Sequence, residues 1–130
     1  MIRIASVPAN IHQVEEYLHR IFNEYNLDSG LYPNVLVSIT EAVNNAILHG
    51  NKSDCNKFVS LKTTRLKRHI CFKISDEGQG FDPASIPDPT LPENLERCGG
   101  RGVFLMKRLS DRVIFSDCGR TVEIKFVLQD

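Results

Sequence analysis

The chain has 130 residues, and its 16 Lys and Arg balance 16 Asp and Glu, with 42% hydrophobic and 25% charged residues overall. A chain of this size suits one domain that buries about two-thirds of the surface its unfolded form exposes, so it needs no disulfide or metal staple. Balanced charge argues against a strongly electropositive nucleic-acid surface while leaving room for a small basic patch. No apolar run approaches the roughly 20 residues of a membrane span, and the N-terminus lacks a signal-peptide core, so the expectation is a cytoplasmic domain acting on neither nucleic acid nor membrane directly.

Residues 2–7 alternate enough to predict a first strand. Ile11, Val14, Leu18, Ile21, Phe22 and Tyr25 then recur at helical spacing, with Asn10 as the expected N-cap and Asn26–Gly30 as the break. A second helix is predicted from Pro33 to His49, with Gly50 as its C′ residue. Residues 57–66 and 69–76 read as strands joined at Lys67-Arg68. From Asp76 to about Arg97 the chain carries Gly78, Gly80 and four prolines, Pro83, Pro87, Pro89 and Pro92, and reads as a long functional loop. A third helix is expected from about Gly102 to Leu109, followed by a hairpin of Val113–Phe115 and Val122–Leu128 around Asp117–Arg120. This order is not the alternation of a doubly wound parallel sheet. It predicts an α+β two-layer sandwich, a mixed, mostly antiparallel sheet with helices on one face. Cys55, Cys71, Cys98 and Cys118 are scattered without a C-x-x-C pair and read as ordinary thiols.

Three stretches carry chemistry. On the second helix Glu41, Asn45 and His49 fall at successive i+4 positions and form a polar column beside a wide apolar face. Such a column also suits a solvated stripe, but it lacks the Lys and Arg of an open face. It sets a carboxylate that can accept a proton beside an amide oxygen that can hold a hard cation. Asp76-Glu-Gly78-Gln-Gly80-Phe81 lies at a strand end, where two glycines let backbone approach a ligand or simply leave the sheet in a tight turn. Gly99-Gly-Arg-Gly102 runs into a helix start, a natural phosphate cradle that reads equally as a hinge. It is neither a Walker A loop nor a dinucleotide fingerprint.

Taken in order, Glu41-Ala-Val-Asn-Asn45-Ala-Ile-Leu-His49-Gly50, Asp76-x-Gly78-x-Gly80-Phe81 and Gly100-Arg-Gly102-x-x-Leu-Met closely resemble the N, G1 and G2 boxes of the gyrase, histidine-kinase and MutL ATPase superfamily, the Bergerat fold. Within it the chain is most similar to the anti-sigma-factor serine kinases of the RsbW type, including a Gly119-x-Thr121-Val near its end. The resemblance implies one ATP-binding domain over residues 1–130 with a lid at about 82–99. It implies Mg²⁺ on Asn45 and Glu41 as general base on the attacking hydroxyl. It places Asp76 on the adenine amino group, with Gly78, Gly80, Phe81 and Thr121 around the base. His49, Gly100, Arg101, Gly102 and Val103 would complete the nucleotide contacts. Gly99 and Arg101 depart from the usual second glycine box, and Glu96 and Arg97 resemble a charged pair at the end of the lid.

The implied function is a serine/threonine protein kinase and anti-sigma factor. Its partners would be a sigma factor and an anti-anti-sigma antagonist, and it would act as a homodimer. A nucleotide-gated sequestering module with little turnover is the alternative. A detached histidine-kinase domain fits less well, because no phosphoaccepting helix pair fits before residue 33.

Overall fold

The computed structural model describes residues 1–78 and 100–128. Within them five strands form one sheet: β1 (Ile2–Ala5), β2 (Phe58–Arg65), β3 (His69–Ser75), β4 (Arg112–Ser116) and β5 (Thr121–Val127). Their spatial order is β1-β2-β3-β5-β4, and every neighbouring pair is antiparallel. The two-residue side-chain period decides the register. Leu61 stands opposite Ile74, and Phe72 opposite Ile124. Together with Ile4, Val59, Ile70, Val122 and Phe126 they bury one face of the sheet, while Lys62, Lys73 and Ser60 point the other way. A slip of one residue would exchange these sets.

The helices α1 (Ile11–Glu24), α2 (Tyr32–Asn45) and α3 (Gly100–Leu109) cover the buried face, giving the expected α+β layers. Helix α1 turns Val14, Tyr17, Leu18, Ile21 and Phe22 inward, the stripe its three- and four-residue spacing requires. The Tyr17 and Thr63 hydroxyls are 2.7 Å apart and tie this helix to β2. Helix α2 contributes Val35, Ile39, Ala42 and Val43, and α3 contributes Val103 and Met106. Lys107 and Arg108 occupy the last turn of α3, where cations suit the negative end of the helix dipole.

Several local expectations change. The first strand stops at Ala5 rather than continuing to residue 7, because Val7 N–H turns back to the Ala5 carbonyl. Asn10 stands before α1 but does not cap it with its side chain. Its Nδ2 donates to the Ala5 carbonyl at 3.0 Å, and its Oδ1 accepts from Gln13 Nε2 at 3.3 Å, so a strand contact and a side-chain contact replace the cap. Helix α2 begins one residue before Pro33, which still lies in the first turn. It does not run as α-helix to His49. Residues Ala46–Gly50 form a π-type turn, closed by Asn51 N–H on the Ala46 carbonyl at 2.8 Å. Gly50 is therefore the end of that turn and not a left-handed C′ residue; among the described glycines only Gly119 has positive φ. Helix α3 starts two residues earlier than expected, at Gly100. Cys55, Cys71 and Cys118 are free thiols; Cys98 and the expected lid at 82–99 lie outside the described residues.

Candidate active site

The start of α3 lies against the polar side of α2. A Cβ built on Gly102 would sit 2.9 Å from Glu41 Oε2, 3.0 Å from Asn45 Nδ2 and 3.5 Å from Asn45 Oδ1. Glycine is what allows the carboxylate and the carboxamide to rest against this backbone. Glu41 and Asn45 are half-buried, and among the described residues neither side chain has a hydrogen-bond partner. Half-exposed and without an internal partner, both side-chain heads are open to a ligand. The amide oxygen of Asn45 is a hard donor of the kind Mg²⁺ accepts. No group of three or more His, Cys, Asp or Glu that could hold a metal occurs among the described residues. The donor set therefore fits an ion that takes most of its oxygens from phosphate and water, and does not suit an all-protein cage.

A second polar group lies just beyond the same, C-terminal end of α2, against the π-type turn. Asp76 follows β3, and its backbone N–H donates to the Arg120 carbonyl at 2.9 Å. Its Oδ1 accepts from Gly78 N–H at 2.8 Å, and Arg120 Nη1 donates to the Gly78 carbonyl at 3.3 Å. Gly50 packs directly on this carboxylate: a Cβ there would collide with Asp76 Oδ2, and one on Gly78 would collide with the Gly50 carbonyl. Both glycines are thus required by close approach. Burial pushes the Asp76 carboxyl above its usual range, opposed by the Gly78 N–H and the Arg120 guanidinium. Thr121 is buried beside it, its hydroxyl 3.1 Å from that of Ser75.

Two clusters thus emerge from the expected residues: Glu41 and Asn45 with Gly102, and Asp76 with Gly78 and nearby Thr121. Gly100 opens α3, and Arg101 beside it is exposed. His49 is exposed on the π-type turn, and the Val103 side chain is buried in the core, so only its backbone can face a ligand. Gly80 and Phe81 lie outside the described residues, as do Glu96, Arg97 and Gly99.

Sequence reasoning missed Asn51. It is fully buried, donates from Nδ2 to Ser6 Oγ at 2.7 Å and to the Phe58 carbonyl at 3.0 Å, and accepts Glu77 N–H on Oδ1 at 2.8 Å. One amide therefore joins the end of α2, the start of β2 and the loop carrying Asp76. Its position directly after Gly50 was the only available signal. Ser38 was also missed; it is buried on α2, and its hydroxyl has no hydrogen-bond partner among the described residues.

The chain matches a known family over most of its length. The family described as histidine kinase-like ATPase domain matches residues 4–126. The chain is also similar to serine-protein kinase RsbW of Staphylococcus aureus strains JH9, Newman and NCTC 8325, in each case 31% identical over 96 residues. That similarity covers 68% of this chain and spans 60% of the length of those curated relatives.

Proposed function

Because this chain belongs to the histidine kinase-like ATPase domain family, we propose that it binds Mg-ATP along α2 and transfers the terminal phosphate to a serine or threonine of a partner protein. The observation that carries this reading is the placement of Glu41 and Asn45 against Gly102, at the start of a helix. A helix start offers free N–H groups and positive potential to phosphate, here from the backbone of Gly100, Arg101, Gly102 and Val103. Asn45 would hold Mg²⁺, which when bound neutralises phosphate charge. Glu41 would accept the proton of the attacking hydroxyl. Asp76 would accept a hydrogen bond from the adenine amino group, in a pocket shared with Gly78 and Thr121. Gly80, Phe81 and His49 join this assignment on the sequence motif, as does a lid at 82–99 in one domain covering 1–130.

The similarity to RsbW supports a protein hydroxyl as phosphate acceptor. The fuller circuit is a cytoplasmic, homodimeric anti-sigma factor that phosphorylates its anti-anti-sigma antagonist. Its ATP and ADP forms would differ in affinity for the antagonist and the sigma factor. The test is incubation with Mg-ATP and cell lysate, followed by identification of the protein phosphorylated on Ser or Thr. Glu41→Gln should leave ADP affinity nearly intact and slow transfer by at least about 100-fold, the usual scale for loss of a general base. Equal transfer by that variant would remove Glu41 from the chemistry. Tight nucleotide binding with no phosphoprotein would favour a sequestering module without turnover.

A further inference from the structure

The sheet face turned away from the helices carries a charge bias that the nucleotide site does not explain. One cross-strand row reads Lys62, Lys73, Glu123, Ile114, and the next reads Thr64, Cys71, Lys125, Arg112. Four cations thus share these two rows with one carboxylate, in a chain whose total charge is zero. Lys62 and Lys73 stand directly opposite each other, an arrangement that destabilises a strand pair. None of the four closes an ion pair among the described residues; there, the ion pairs are Arg3 with Glu77 and Arg120 with Asp117. Beside the cations lie exposed apolar side chains: Leu66 at 45%, Val127 at 50% and Ile114 at 39% exposure.

We propose that this face docks an acidic amphipathic helix of a partner protein. Neighbouring strands lie about 4.8 Å apart, and residues two apart along a strand about 7 Å. Carboxylates at i and i+4 of a helix are about 6 Å apart, so one acidic edge can run along the cationic rows. Its leucine-like edge then covers Leu66 and Val127, in the manner of helix recognition by apolar anchors. A second copy docked sheet to sheet would set one net-cationic face against another. Single-stranded nucleic acid calls for stacking aromatics, and these two rows contain none. Three scattered apolar side chains make a poor membrane anchor. The proposal stands independently of the kinase reading.

The probe is a synthetic helix-forming peptide of about 20 residues, with Glu along one edge and Leu along the other, titrated into the whole chain while backbone amide resonances are followed. Shifts should concentrate on the amides of Lys62, Lys73, Lys125 and Arg112. Lys62→Glu with Lys73→Glu should weaken binding by at least about tenfold, and raising salt toward 1 M, where charges are screened within about 3 Å, should do likewise. The charge-neutral pair Lys62→Gln with Lys73→Gln should fall between wild type and the reversal. Lys107→Glu, on the helix layer, should change nothing, and ADP affinity should stay constant throughout. Absence of shifts on this face would overturn the proposal. So would equal binding of a scrambled peptide, tighter binding of anionic vesicles or single-stranded RNA, or self-association through this face in sedimentation.

Discussion

Substituting Gly102 by alanine separates stability from chemistry. Alanine is favoured over glycine in a helix interior by about 0.8–1.0 kcal/mol, an upper bound in the first turn of α3. Against this, the new methyl would lie 2.9 Å from Glu41 Oε2 and 3.0 Å from Asn45 Nδ2, where ordinary contact begins at 3.4 Å. Each polar head must retreat by about half an ångström, and a strained side-chain torsion costs about 0.5–1.5 kcal/mol. With both heads strained the cost is about 1–3 kcal/mol against a gain of at most about 1, so melting should fall by no more than about 10 °C. Chemistry has no such compensation. A misplacement of 1 Å costs about 100-fold, so half that displacement of the proposed base should slow single-turnover transfer by about tenfold or more. ADP affinity measured without magnesium should change far less than the rate. An unchanged rate with unchanged melting would refute the placement of Glu41. A melting loss beyond about 10 °C would mean that backbone, and not the side-chain heads, absorbs the contact.

For Asp76→Asn, the sign follows from burial. A carboxyl raised in the folded state stabilises the fold below the ordinary carboxylate range and loses that contribution as pH rises through its folded value. The variant should therefore melt at or above wild type at neutral pH, with the gap closing in acid, while adenine-nucleotide binding weakens by about 1–3 kcal/mol in titration calorimetry. Lower melting at pH 7 or unchanged nucleotide affinity would contradict the respective assignment. Asn51→Ala strips partners from Ser6 Oγ, the Phe58 carbonyl and Glu77 N–H, and should cost about 2–4 kcal/mol in denaturant unfolding. A loss under about 0.5 kcal/mol, the range of ordinary surface changes, would show that water replaces those bonds without penalty.

Much of the architecture could be read from periodicity. The alternation of Ile70, Phe72 and Ile74 fixed both a strand and its buried face, and the Asp117–Arg120 turn fixed the final hairpin, because both signals are local. Asn10 misled for the opposite reason. Its capping preference is local, but the Ala5 carbonyl, brought close by the turn after β1, competes for its amide. Gly50 looked like a helix terminator, yet its missing side chain makes room for Asp76, a residue 26 positions away. The motif residues themselves were visible as a pattern, whereas the contact of Gly102 with Glu41 and Asn45 depends on how α3 packs on α2. No single sequence reveals a buried amide such as Asn51, because asparagine is ordinarily a surface residue.

The stitching around Asn51 has a consequence for how the molecule would loosen. Glu77, next to Asp76, gives its N–H to Asn51 and takes the N–H of Phe58 on its own carboxylate at 3.2 Å, while also pairing with Arg3 at 3.6 Å. Glu77, one peptide unit from Asp76, thus touches Phe58 and Arg3 directly and Ser6 through Asn51, at the edge strand of the sheet. Loosening of that N-terminal border should therefore also loosen the backbone that carries Asp76.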